Sequence, residues 1–171
     1  MRTMETPVKT KEVQWKGNTY TENLYQKDID EIKHDAETCK LNGYGESVFI
    51  ENLKYPYRRY WKDEALKIFR DTTAEVKVGT PATENLYSDR RAKTVVEVIS
   101  PRKIVVAENK TICKDYFAGN YNILDEINEC MGTSIFTLRK GGGWYAEGQP
   151  KKAGSVTLTL GYRYHYIDPS F

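Results

Sequence analysis

The sequence predicts a mainly β, α+β chain: a small antiparallel β-barrel or sandwich preceded by a helical extension. Three observations lead there. Beyond Ala74, short runs rich in Val, Ile, Thr and Tyr alternate with turn signals about every ten residues, the pattern of small barrels and sandwiches. Before it, apolar residues recur at helical spacing in two stretches. The run at 155–166, Ser-Val-Thr-Leu-Thr-Leu-Gly-Tyr-Arg-Tyr-His-Tyr, alternates apolar and polar residues as a half-buried strand does. A boundary near residue 73 follows. The 171 residues suffice for one good domain, or for a domain and an appendage.

Taken in order, residues 1–20 are polar and rich in Lys and Thr, and read as a flexible arm or an edge strand. Residues 21–73 read as the helical extension. Within it, Leu24, Ile29, Ile32, Ala36 and Cys39 mark a helix over 23–39, and Asn42-Gly43 is its stop. Residues 47–53 suit a short strand. Trp61, Ala65, Leu66 and Phe69 make one stripe of a second helix over 61–69. From 74 onward, strands are expected at 94–99 and 103–108, joined by the turn Ser100-Pro101-Arg102, and at 111–117. Leu124 and Ile127, with acidic residues between them, predict a short helix over 123–131, ended by Gly132. Strands at 134–139 and 144–147 flank the hairpin turn Gly141-Gly142-Gly143. The strand at 155–166 is expected to be among the longest.

Composition narrows the function classes. Net charge is +2, from 26 basic and 24 acidic residues, which makes no general case for nucleic-acid binding. Cys39, Cys113 and Cys130 are odd in number and lack paired spacing, so neither a disulfide framework nor a zinc site is indicated. No apolar run is long enough for a membrane span, and no signal peptide is expected. These features predict a cytoplasmic protein without a membrane partner. The 13 tyrosines suit half-wet surfaces such as ligand platforms, but their strand preference is the simpler reading of their number.

Catalytic groups are few. His34 and His165 are the two histidines. His165 shares a strand face with Arg163, and Asp168 and Ser170 follow. Neighbours on one strand rarely supply a nucleophile, a separate base and an oxyanion hole, so no enzyme activity, cofactor or metal is expected. Lys140-Gly-Gly-Gly-Trp144 lacks the spacing of a phosphate loop and reads as a hairpin turn. Basic and aromatic residues interleave at Tyr55-Pro-Tyr-Arg-Arg-Tyr-Trp-Lys62. Further basic groups stand at Arg90-Arg91, Arg139-Lys140 and Arg163. Planar rings and guanidinium forks are what a nucleotide's base and phosphates require.

The order of several separated motifs resembles a known group. These are Gly-Thr-Pro-Ala-Thr-Glu-Asn-Leu-Tyr-Ser-Asp-Arg-Arg-Ala at 79–92, Thr-Val-Val-Glu-Val-Ile at 94–99 and Lys-Ile-Val-Val at 103–106. Phe-Thr-Leu-Arg-Lys at 136–140, Trp144, Leu-Thr-Leu-Gly-Tyr-Arg at 158–163 and Tyr-Ile-Asp-Pro-Ser-Phe at 166–171 follow. They resemble small phage and prophage proteins of the Thoeris anti-defence 1 family. Those proteins are sponges that bind a cyclic ADP-ribose isomer made by a bacterial TIR-domain enzyme and hold it without cleaving it.

The resemblance spans about residues 79–171. It implies a nucleotide-binding domain over 74–171, a homo-oligomer (dimer or higher), and action in host cytoplasm. It puts Phe136 at a position that stacks on adenine and Arg163 at one that binds phosphate. Arg91, Arg90, Arg139 and Asp168 complete the expected ligand-binding set. Two departures stand out: the first 70 residues have no counterpart, and 109–134 reads as a helix where the related chains carry a polar loop. The alternative from another class is a small nucleic-acid-binding phage barrel using residues 55–62 and a strand face. A third is a hydrolase of the signal nucleotide.

Overall fold

The structure, a computed structural model, describes residues 5–170. They form two compact units. The first holds residues 5–40 and 45–74, the second residues 41–44 and 75–170.

The first unit opens with an antiparallel hairpin, β1 (Lys9–Trp15) and β2 (Asn18–Leu24). Lys16 and Gly17 turn it at φ of 48° and 79°. Two left-handed residues in a two-residue loop match the twist of a hairpin. The helices are α1 (Gln26–Leu41), α2 (Glu46–Asn52), α3 (Tyr55–Tyr60) and α4 (Lys62–Asp71). Their core is Leu24, Ile32, Ala36, Phe49, Leu53, Tyr57, Trp61, Ala65 and Phe69. Phe49 and Phe69 stack with centroids 4.7 Å apart. The buried Tyr57 hydroxyl donates to Glu31 at 2.7 Å or to Asp28 at 3.0 Å, and burial beside these carboxylates pushes its pKa up. One expectation is corrected. Residues 47–53 are not a strand: Phe49 and Ile50 lie on the buried side of α2, Leu53 caps its C-terminus in the same core, and tertiary packing overrides β-branched propensity. The aromatic segment 55–60 is helical, with Pro56 in its first turn, where a missing N–H costs nothing.

The second unit is a closed antiparallel barrel. Its strands are β3 (Pro81–Asn85), β4 (Arg90–Ser100), β5 (Lys103–Asp115), β7 (Thr133–Leu138), β8 (Trp144–Ala146) and β9 (Thr157–Leu160). They follow each other as β4-β3-β9-β8-β7-β5, and β4 pairs back onto β5 to close the six-stranded ring. Period-2 alternation points Ala82, Val95, Ile104, Val106, Phe136, Trp144, Leu158 and Leu160 to one common core. Full burial of such side chains contributes about 1.5–3 kcal/mol each for the larger ones. The Trp144 indole N–H donates to the Leu41 carbonyl at 2.9 Å, so the ring is buried with its polar atom satisfied. Asn42 donates to the Leu160 carbonyl and accepts its N–H, at 3.0 and 2.9 Å.

β5 outruns the barrel. Beyond Asn109 it pairs with β6 (Asn120–Ile127) instead of β4. This corrects the helix expected over 123–131, of which only Glu129–Met131 is a 3-10 turn. The cause is a register shift. Asn109 faces Ile127 but Thr111 faces Ile123, so β6 carries extra residues between two ladder points. That bulge moves Leu124 and Ile127 out of simple alternation and imitates helical spacing. The strand expected over 155–166 is also shorter: β9 ends at Leu160, because Gly161 turns the backbone at φ 112°.

No helix among the described residues is long and apolar enough to cross a membrane.

Candidate functional site

β4 carries most of the polar chemistry of the barrel. Lys93 and Arg91 share the inward parity of Val95, and Glu84 on β3 and Glu108 on β5 share that of Ala82 and Val106. Glu84 is the register partner of Arg91, and Glu108 that of Lys93. Lys93 Nζ lies 3.2 Å from Glu84 and 3.1 Å from Glu108. All three side chains are at least nine-tenths buried. Arg91 stands 3.7 Å from Glu108 and is one-third exposed. Two cations on the middle strand are thus flanked by one carboxylate on each neighbour. Each buried ion has an opposite charge at contact distance, which burial demands.

On the outer face, the chain after β9 runs as a strap. The Thr83 hydroxyl donates to the Tyr162 carbonyl at 3.0 Å and accepts the Tyr164 N–H at 2.9 Å. Arg163 Nε donates to Thr94 Oγ1 at 3.1 Å, and Thr94 donates to Asn109 at 2.9 Å. Arg163 Nη1 pairs with Asp125 of β6 at 2.6 Å. Tyr166 then bridges Arg90 through both backbone groups, at 2.7 and 2.8 Å. So the strap takes the place beside β4 that β5 leaves. His165 fills the same gap. It is 5% exposed, its Nδ1 accepts the Ala92 N–H over 3.4 Å, and Tyr121 packs edge-on at 4.7 Å. Burial pushes the His165 pKa down, opposed by Glu108 and reinforced by Arg91. The Tyr166 ring closes on Gly119, where an added Cβ would come within 2.5 Å of it.

The expected site residues separate. Phe136 is fully buried in the barrel core, so it presents no face to a purine; the stacking expectation is corrected to a packing role. Arg90 donates to the Leu86 and Asp89 carbonyls and so ties the β3–β4 turn. Arg139 donates to the Gln149 carbonyl at 2.7 Å, its buried Nε having no partner among the described residues. Asp168 ties the strap: its N–H donates to Asp89 at 3.0 Å and its carboxylate accepts the Ser170 N–H. The segments 88–90 and 166–170 therefore meet in space. Arg91 and Arg163 both reach the first half of β4, from its inner and outer faces. Phe171 lies outside the described residues.

Glu84, Lys93, Glu108 and Asn109 are missing from the sequence reading. A signal existed: starting the strand at Arg90 rather than Thr94 places Lys93 at inward parity with Val95. The glycine turn at 141–143 joins β7 to β8 with all three residues at positive φ, and a Cβ on Gly142 would meet Tyr44 at 2.3 Å. Cys39, Cys113 and Cys130 are free thiols, and no group of three or more metal-ligating side chains occurs among the described residues.

Comparison with protein-family models, with curated proteins and with solved structures finds no match.

Proposed function

We propose that the barrel unit binds and sequesters a cyclic nucleotide signal, of the cyclic ADP-ribose isomer class, without cleaving it. The motif resemblance over 79–171 suggests the ligand class. The observation that supports it physically is the state of two arginines. Arg163 is 22% exposed but its carboxylate partner, Asp125, is 95% exposed. Arg91 meets its nearest carboxylate only at 3.7 Å. An exposed pair contributes about 0–1 kcal/mol, so a phosphate can replace Asp125 on Arg163 at little cost, while Arg91 can turn to a phosphate and leave Glu108 with Lys93. A guanidinium offers phosphate a planar, bidentate fork. With Phe136 in the core, base stacking falls to Tyr162 and Tyr164, which bracket Arg163 in sequence and are 45% and 50% exposed.

In this reading the protein is a phage anti-defence factor of the host cytoplasm, it assembles as a dimer or larger oligomer, and it needs no cofactor. Sequestration requires tight binding and no chemistry. The test is to incubate the protein with cyclic ADP-ribose isomers and, separately, cyclic dinucleotides, and to measure free nucleotide before and after heat denaturation. Depletion followed by recovery of intact ligand supports sequestration. Recovery of a linear product supports a hydrolase instead.

A further inference from the structure

We propose that the first unit carries a separate binding face for single-stranded nucleic acid, built from the β1–β2 hairpin and α3. This inference does not rest on the barrel's nucleotide.

The hairpin register puts Lys9, Lys11, Val13 and Trp15 on the same face as Tyr20, Glu22 and Leu24. One end of that face is closed: Leu24 is buried in the unit's core, and Lys11 Nζ lies 4.5 Å over the buried Trp61 ring. The other end is open. Trp15 is 44% exposed, Tyr20 46% and Tyr55 of α3 56%. Arg59 organises this end. Its guanidinium carbon lies 4.2 Å from the Trp15 ring centre, 5.5 Å from Tyr60 and 5.8 Å from Tyr55. Tyr55 and Tyr60 meet edge to face at 6.3 Å. Lys16, at the hairpin turn, lies 5.8 Å from Trp15. Three rings therefore gather about one cation, and two of them keep about half their surface in water.

Charge selects the occupant. The nine residues Lys54-Tyr-Pro-Tyr-Arg-Arg-Tyr-Trp-Lys62 hold four cations, four aromatics and no carboxylate. Lys54 pairs with Glu31 and Lys9 with Glu64. Lys11, Lys16, Arg58 and Arg59 have no carboxylate within ion-pair distance among the described residues. Glu22 is the one carboxylate on the hairpin face itself. Exposed rings beside unneutralised cations match bases and phosphates together. A duplex hides the faces of its bases, so the fit is to a single strand. The chain's net charge of +2 does not oppose this, because a phosphate backbone reads the local patch rather than the sum.

The test is fluorescence anisotropy of labelled 20-mers of oligo-dT and oligo-U with the full chain, a 20-bp duplex serving as comparison. The expected result is single-strand binding that weakens linearly with the logarithm of salt, and weaker binding of the duplex. Trp15→Leu and Tyr55→Leu keep apolar bulk and are expected to lose roughly 5- to 150-fold each, the range for one stacking ring. Lys16→Ala is expected to lower the salt slope by about one. Circular dichroism melts of each variant establish that it folds. Lys152→Ala, at an exposed position of the second unit, is expected to leave oligonucleotide binding unchanged. No binding at low salt, a preference for the duplex, or unchanged affinity in folded Trp15→Leu and Tyr55→Leu proteins would overturn the proposal.

Discussion

Lys93 and Glu108 face each other across the strand pair that closes the barrel, Nζ and Oε2 3.1 Å apart with both side chains buried. The closure of the ring is therefore also the burial of a charge. A lysine at that position holds two carboxylates, Glu84 and Glu108, out of water. Lys93→Met is expected to destabilise the barrel by about 3–5 kcal/mol, the cost of leaving buried charge without its partner. Arg91→Met, with a long and partly exposed pair, is expected to cost under about 1 kcal/mol. Thermal melts compare the two, and equal losses would contradict this assignment.

Phe136 is a packing residue, and its truncation should read as one. Phe136→Ala is expected to cost about 3–5 kcal/mol, the usual scale for emptying a core phenyl site. A melting temperature near that of the parent, with lost nucleotide binding, would restore the ring to a ligand site.

The His165 imidazole is buried in its neutral form. In an unfolded chain it takes a proton near pH 6.5. The native state holds its pKa below that, so between the two values the unfolded chain binds a proton that the native chain refuses. Stability is then expected to fall as pH drops below about 6.5, and to stop falling from this cause once the native pKa is passed. Urea unfolding from pH 7.5 to 5 checks the slope, and imidazole NMR signals give the native pKa directly. A His165 signal that titrates above 6.5 would contradict the buried neutral ring.

Asp125 competes with any anion for Arg163. Asp125→Asn removes an almost fully exposed carboxylate, so the fold is expected to lose under about 1 kcal/mol. Nucleotide affinity is expected to rise. Isothermal titration with the parent and variant measures it, and a fall in affinity would mean that Asp125 itself contacts the ligand.

Much of the fold was legible in the sequence, and the failures have physical causes. The hairpin at Ser100-Pro101-Arg102, the strands on either side of it and the glycine turn at 141–143 followed from local alternation and turn chemistry. So did the helices that became α1 and α4. β6 was missed because its bulge breaks period 2. The long terminal strand was over-read because alternation continues through Tyr166 while Gly161 ends the ladder. There the side chains of Thr83 and Thr94, not a neighbouring backbone alone, hold the extended segment. The charge cluster of Glu84, Lys93 and Glu108 is assembled from three strands, and no window of sequence contains it.

Sequestration is tested most directly by nucleotide binding to the parent protein beside Arg163→Lys and Arg91→Lys, with the ligand recovered by denaturation. Lysine keeps the charge and loses the planar fork. The predicted result is that the parent depletes a cyclic ADP-ribose isomer from solution and releases it intact on heating, while both variants fold and bind at least about tenfold more weakly. Undiminished free nucleotide with the parent, a cleaved product, or unchanged affinity in both variants would contradict it.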